Sequence, residues 1–582
     1  MPDSANDAGP RRGLINSTSI GLGVLALALI ASLVQVMRTG RELSGTDGAI
    51  VLRICHWQLE DGYRDALQMV IDEYEKLQAS RGKNVRIVQM PITERVYGQW
   101  VNTQLIGGSA PDLCESGMSK FATDDQYTVR YFLPLGAIGT RVNPYNAGTS
   151  LEGVPWRDTL LDGMRIGYKG ALLDTYSVAT TLVGNRTFVN KTLLREVTGS
   201  DELPKTFGEL LALKPKVDAY AAKVGQPIRT VTSCYNIDHF VNRYRVAMTA
   251  GLEKELDTNL DGSISWAETY EGFLRHQQAE AAVAKAESDG RPLPADAQDP
   301  STVGVSFDSP QVKAYYEMML AMASLMGEDH AAIDRQQGMF MFAQGRAVFL
   351  GTGSWDAQGL SKAMADKGWE LGVIDFVTPG PGERWHDQLA GRAADVGMWG
   401  VPFAVYKLSR HQDIAIDFLM YLTSQDVNER YTQRANWPPV TVGARPTPLM
   451  APFVPNPIGY SSAVDFNIGS QVQTVLKGQE GLLYNRETTY EAMVAKVTDA
   501  IRNPAYGGDR AWSLEYDRAS RDARNQERVL AVQAARALLE PEAAEDAMLK
   551  LRRGTLQHVR RNNGNESKKR FEDLRGFPLP PV

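Results

Sequence analysis

Between Ala49 and Cys114 the chain alternates strand and helix patterns, and that alternation limits the fold more than any other feature. AIVLRICH (49–56) is an apolar strand run. From Asp61 to about Leu77, Tyr63, Leu67, Val70, Ile71 and Tyr74 recur at helical spacing. NVRIVQM (84–90) alternates as a second strand, a second helix is expected around 94–105, and Gly107-Gly108-Ser109-Ala110-Pro111 leads into a short strand at Asp112-Leu113-Cys114. This order predicts a parallel sheet, which binds ligands beyond the carboxyl ends of its strands. Those ends carry Trp57-Gln58-Leu59-Glu60-Asp61 and Glu115-Ser116-Gly117. Trp57, Glu60, Asp61 and Ser116 are therefore candidate contacts: an indole face stacks on a sugar ring while carboxylates and hydroxyls bond its polar groups. Trp57 fits equally a place in the core beneath the next helix.

A second informative block is Phe307 to Asp356. FDSP reads as a short strand and a Ser/Asp-Pro helix start, followed by a helix with Val312, Tyr315, Met318, Met319 and Met322 on one face. After Gly345-Arg346, Ala347–Leu350 is a buried strand, and a glycine-rich turn then presents Ser354, Trp355 and Asp356. Further strands are expected at Trp369–Val377 and Asp395–Phe403, and a helix at Gln412–Leu422 with Ile414, Ala415, Phe418 and Leu419 inward. Trp399 is placed at a hinge facing the cleft and Trp437 in a loop, with core packing as the competing reading for each.

The segments VLRICHWQLEDG, GGSAPDL, FVNKTLL, PKTFGEL, SFDSP…VKAYYEMM, FAQGRAVFLGTGSWD, WGVPFAVYK and NWPPV run in order between residues 49 and 505. They resemble the extracellular solute-binding proteins of family 1, the sugar-capturing subunits of ABC importers. The resemblance implies an α/β, two-lobed, periplasmic-binding-protein-like fold (type II) closing on a carbohydrate ligand, with ABC permease subunits as membrane partners. It also implies that the loop holding Trp437 presents a ligand contact. The expected organisation is a tip, anchor and linker (1–45), lobe one (46–175 and 371–430), lobe two (176–370 and 431–510) and a helical and disordered extension (511–582). The insertion 240–300 in lobe two departs from the family pattern.

That insertion contains DTNLDGSISWAE (257–268). Oxygen-bearing Asp257, Asn259, Asp261 and Ser265 stand at positions one, three, five and nine of an EF-hand-like calcium loop. Ser263 stands at seven, Gly262 gives the turn at six, and Glu268 at twelve can chelate with both oxygens. One unpaired loop points to a structural Ca2+ rather than a switch. The competing reading is a polar turn capping a helix.

Residues Ser17 to Met37 form an almost uninterrupted apolar run, long enough to span a bilayer, with Arg11 and Arg12 before it and Arg38 and Arg41 after. Its length and lack of a small-x-small site favour one uncleaved transmembrane helix in the inner membrane over a cleaved signal. Either way the rest is exported and extracytoplasmic. A net charge of −7 over 582 residues argues against a nucleic-acid partner. Cys55, Cys114 and Cys234 fit no metal spacing; buried thiols, or a Cys55–Cys114 disulfide, remain. No HExxH, Walker loop, GxSxG or CxxC occurs, the seven histidines are scattered, and no enzyme is expected. The alternative function is a tethered sensory or structural protein of the same fold that feeds no transporter.

Overall fold

The structure is a computed structural model. It describes residues 48–517 apart from 61, 118–124, 170–171, 173, 259–263, 294–297, 301–302, 396–398, 457 and 461. The apolar run at 17–37 and the extension beyond 517 lie outside the described residues. Among the described residues, no helix is long and apolar enough to cross a membrane.

Strand β1 (Ile50–His56) pairs in parallel with β2 (Val85–Pro91) along its whole length and with β3 (Leu113–Glu115) at its carboxyl end. An interior strand must be apolar on both faces, and Leu52, Ile54 and Cys55 are fully buried. The helix Tyr63–Ser80 starts at Gly62, whose φ of 88° suits a residue without Cβ, and lays Tyr63, Leu67, Val70, Ile71 and Tyr74 on the sheet as the spacing predicts. A short ribbon, β4 (Tyr168–Lys169) with β5 (Asp174–Thr175), precedes β6 (Val178–Val183), the edge of this first sheet.

Gly184 alone separates β6 from β7 (Asn185–Asn190), which begins a second sheet with β8 (Arg229–Ser233), β9 (Ala347–Gly353) and β10 (Leu371–Ile374), in the order β10-β7-β9-β8. Here β8 and β9 are parallel and β7 runs against β9 and β10. The helix Pro310–Met326 covers this sheet, and Val312, Tyr315, Met318, Met319 and Met322 are buried as expected. The short strand expected at Phe307 does not form. Phe307 instead stacks on Phe466 at 4.2 Å, a tertiary contact that holds it out of any ladder.

The chain returns to the first sheet with β11 (Trp399–Val405), antiparallel between β3 and β6. Three expected lobe boundaries are corrected here. Because β6 pairs with β11 in the first sheet, the first lobe runs on to Val183 rather than ending at 175. Because β10 pairs with β7, residues from 371 to Asp395 belong to the second lobe. Because Tyr431, Ala435, Trp437 and Val440 pack in the same core as Tyr63, the chain stays on the first lobe until about 441. The helix Gln412–Leu422 forms as expected and presents Ile414, Ala415, Phe418 and Leu419 to that core. All three cysteines are free and buried, with Cys55 opposite Cys114 in the ladder.

Truncating Met319, which has no exposed surface, to Ala removes packed volume and is expected to cost about 2–5 kcal/mol in urea unfolding. Ile106→Ala, at a side chain 73% exposed, stays within about 0.5 kcal/mol of the parent.

Candidate ligand cleft and the inserted loop

The chain beyond β1 meets the chain beyond β9 between the lobes: Asp356 acts on Glu60, and a Cβ at Gly62 would lie 2.9 Å from Gln358. On the first lobe the organising group is Glu115. Its carboxylate accepts the backbone N–H of Trp57 (3.1 Å) and the side-chain amide of Gln58. The Tyr97 hydroxyl donates to the Glu115 carbonyl at 2.7 Å and the Tyr97 ring meets Trp57 edge-on, centroids 4.9 Å apart. A Cβ at Gly117 would lie 2.9 Å from the Trp57 ring, so any side chain there would displace the indole. Trp57 is thus half-buried and held from three sides. Burial pushes the Glu115 carboxyl well above its usual range, even with two donors on it.

On the second lobe, Asp356 accepts from Thr352 Oγ1 and from Arg335 Nη2, both at 2.6 Å. Burial raises its pKa, and the adjacent guanidinium only partly offsets that. Trp355 packs against the first-lobe core and meets Tyr235 edge-on at 6.4 Å. Tyr235 in turn lies parallel to His239, 6.5 Å away, and burial lowers His239 to about 3, so the imidazole is neutral. Glu60 joins the halves. Burial raises its pKa first, and the negative charge of Asp356 on the opposite lobe adds to the rise while Arg335 opposes it. Glu60 and Asp356 thus influence each other across the lobes, while Trp57 stands at the end of β1 against Tyr97 and Trp355 lies beside Tyr235.

Three expected contacts are placed elsewhere. Ser116 is buried, its N–H and Oγ both directed at the Pro402 carbonyl (2.8 and 3.3 Å). Ser354 is buried at the lobe crossing: its N–H donates to Gly184 O at 2.9 Å and its Oγ accepts from Gly184 N at 3.3 Å. Trp437 is 1% exposed, packed 5.1 Å from Tyr63 inside the first lobe, because the chain at 437–441 is still adding to that core. Asp61 and the side chain of Trp399 lie outside the described residues; the Trp399 backbone pairs with Val183. Sequence reading missed Tyr235, His239 and Arg335. The signal for the first two was the strand β8, whose carboxyl end they follow, whereas Arg335 carries no local motif.

Around the inserted loop, Asp257 and Glu268 are both nearly fully buried. One Glu268 oxygen accepts the Thr258 N–H (2.8 Å) and the other the Ser265 N–H (2.9 Å), while Ser265 caps the helix Trp266–Asp289 in a reciprocal capping box. The position-twelve carboxylate thus accepts backbone N–H groups from both ends of the loop, the arrangement of a polar turn that caps a helix. Asn259, Asp261 and Ser263 lie outside the described residues. Among the described residues, no three His, Cys, Asp or Glu side chains gather closely enough to hold a metal ion.

Two α/β lobes with aromatic and carboxylate side chains at the strand ends between them define a two-lobed binding protein. The chain belongs to the bacterial extracellular solute-binding protein family, whose model matches residues 71–452. Similar solved structures include the GacH receptor of Streptomyces glaucescens, 15% identical over 78% of this chain and 98% of that one, with a TM-score of 0.47. RafE of Streptococcus pneumoniae is 12% identical over 79% and 99% of the two chains, with a TM-score of 0.48. The maltose/maltodextrin-binding domain MalE of Bdellovibrio bacteriovorus is 15% identical over 78% and 99%, with a TM-score of 0.45. No curated protein sequence is significantly similar to the chain.

Glu115 supplies a pH test. Its folded pKa is raised, so the native state keeps a proton that the unfolded chain releases near pH 4.3, and stability falls as pH rises through the folded value. Glu115→Gln, with the Gln58 amide turned over, removes that loss. Thermal melts are expected to show the variant gaining on the parent at pH 8 and not at pH 5.

Proposed function

We propose that this chain is an extracytoplasmic, membrane-anchored solute-binding protein that captures a sugar or oligosaccharide and delivers it to ABC permease subunits. The observation carrying the reading is the pairing of aromatic and polar groups across the lobes: Trp57 and Glu60 on one side, Tyr235, Trp355, Asp356 and Arg335 on the other. Rings that present a face to the C–H side of a sugar, flanked by carboxylates and a guanidinium for its hydroxyls, suit a neutral polyol. Membership of an extracellular solute-binding family supports export of the bulk of the chain, and the apolar run 17–37 supplies the anchor in this reading. The protein is a binder here, with no catalytic residue assigned.

A ligand that binds only the native state raises the melting temperature. A thermal-shift screen of mono- and oligosaccharides is expected to find a stabilising sugar, and Trp57→Ala to weaken it about tenfold, the loss of ~1.4 kcal/mol of stacking. No shift with any sugar would sink the ligand class while leaving the family intact.

Calcium is the second part of the proposal. Asp257, Asn259, Asp261, Ser263, Ser265 and Glu268 would hold a structural Ca2+, which brings charge neutralisation to the buried ends of the loop. Adding calcium to chelator-treated protein is expected to raise the melting temperature, and Asp257→Ala to abolish the rise. Calcium titration calorimetry without heat on the parent would overturn it.

A further inference from the structure

Three chain segments join the lobes: β6 to β7 through Gly184, Asp395 to β11, and the stretch between Thr441 and Ala451. One side chain touches all three where they enter the second lobe. Arg186, the second residue of β7 and 2% exposed, donates through Nε to Pro452 O at 2.6 Å. Its two terminal nitrogens fork onto the Asp395 carboxylate at 3.2 and 2.8 Å. Asp395 also accepts from Arg243, from Arg392 (3.3 Å) and from the Asn456 N–H (2.8 Å). Asp395 N–H returns a bond to Asn456 O at 2.9 Å. Asp375 completes the group, 3.3 Å from Arg186 and 2.9 Å from Arg392.

The first lobe carries a counterpart. Asn428, fully buried, donates to Thr180 O in β6 (2.8 Å) and accepts the N–H groups of Val440 (3.1 Å) and Thr441 (3.2 Å). Thr180 Oγ1 donates to Val401 O in β11 at 3.1 Å, so the same three segments are tied again on this side. Between the two ties, at Thr180 and Arg186, the first segment has five residues, Thr181 to Asn185, in which to bend.

We propose that Arg186 with Asp395, and Asn428 with Thr180, are paired clamps that bound the hinge, and that Arg186 is a positioning residue for ligand capture. It fixes the second-lobe ends of the crossings as one body, so the strand ends that carry Trp355 and Asp356 move only as that body moves. A lysine at 186 keeps the charge but lacks the planar fork, and reaches one partner where the guanidinium reaches two. The crossings then enter the second lobe in several arrangements and the binding geometry is populated for a smaller fraction of the time. If that fraction falls to about a tenth, apparent affinity falls about tenfold. This consequence rests on the sugar-binding reading; the hinge itself does not.

The test is therefore made without ligand. The full chain is spin-labelled at Glu94→Cys and Lys362→Cys, both exposed positions on opposite lobes, the native cysteines being buried. Inter-label distances are measured by pulsed electron resonance. Arg186→Lys, Asp395→Asn and Asn428→Ala are each expected to broaden the distribution. Met493→Ala, a core truncation remote from the crossings, is expected to leave it unchanged. Hinge variants as narrow as Met493→Ala overturn the proposal. Hydrogen exchange on the unsubstituted chain decides the matter should the variants fail to fold. The amides of Asp395 and Asn456, outside any regular helix or ladder, are expected to exchange as slowly as those of β9. Exchange at the rate of the exposed residues Ala147 and Gly148 overturns it.

Discussion

A guanidinium with almost no exposed surface, forked onto one carboxylate, is the constraint on which the two-lobed arrangement depends. Taking both charges out of water costs several kcal/mol, and an apolar pair of the same volume often serves stability as well. Apolar contact is non-directional, however, and cannot by itself fix how three crossing segments enter the second lobe. The directional fork of Arg186, its Nε bond to Pro452 and the four donors around Asp395 do fix it. Burial alone would push the Asp395 carboxyl up; Arg186 and Arg243 outweigh that and hold it well below the usual carboxylate range. Asp395 therefore stands ionised beside the guanidiniums near neutral pH.

The carboxyl groups of the cleft stand in the opposite regime. Glu60, Glu115 and Asp356 all have raised pKa values, with burial as the first cause. Each contributes less to stability as pH rises, since the ionised form is held where water has been excluded. Arg335 is the cation that offsets Glu60 and Asp356 together, from a position 44% exposed. Buried acceptors require hydrogen-bond donors in place of lost water: Glu115 has them from Trp57 and Gln58, and Asp356 from Thr352 and Arg335. The same chemistry disfavours an anionic ligand beside Glu60 and Asp356.

Much of this architecture was legible in the sequence because it is local. The helices at 63–80, 310–326 and 412–422 announce themselves by apolar spacing, and β1, β2, β9 and β11 by apolar runs bounded by turn residues. What was not legible is tertiary. Trp437 has the flanks of a loop aromatic, Asn436 before it and two prolines after, yet the neighbouring helix Gln425–Ala435 carries it into the first-lobe core. Ser354 stands in a turn like any ligand-presenting serine, and only the nearby Gly184 makes it a strut. Arg335 and Asp356 are 21 residues apart with a strand between them, so no spacing rule links them. The strand ends are therefore legible in the sequence, whereas the side chains that gather at them are set by tertiary packing.

The inserted segment illustrates how an addition can leave such a cleft undisturbed. The helix Asp238–Thr249 holds His239 at the cleft end and runs twelve residues, ~18 Å at 1.5 Å per residue, before the chain reaches Asp257. From there the helix Trp266–Asp289 packs Phe273 against Phe466, and Asp517 accepts the Trp266 N–H at 3.2 Å. The residues flanking the loop thus pack on the second-lobe core, joined through Trp266 to Asp517, with the helix Asp238–Thr249 between them and His239. One Glu268 oxygen meets Thr258 and the other Ser265, so the carboxylate ties the chain before the loop to the first turn of the helix after it, and this brace does not depend on the cleft.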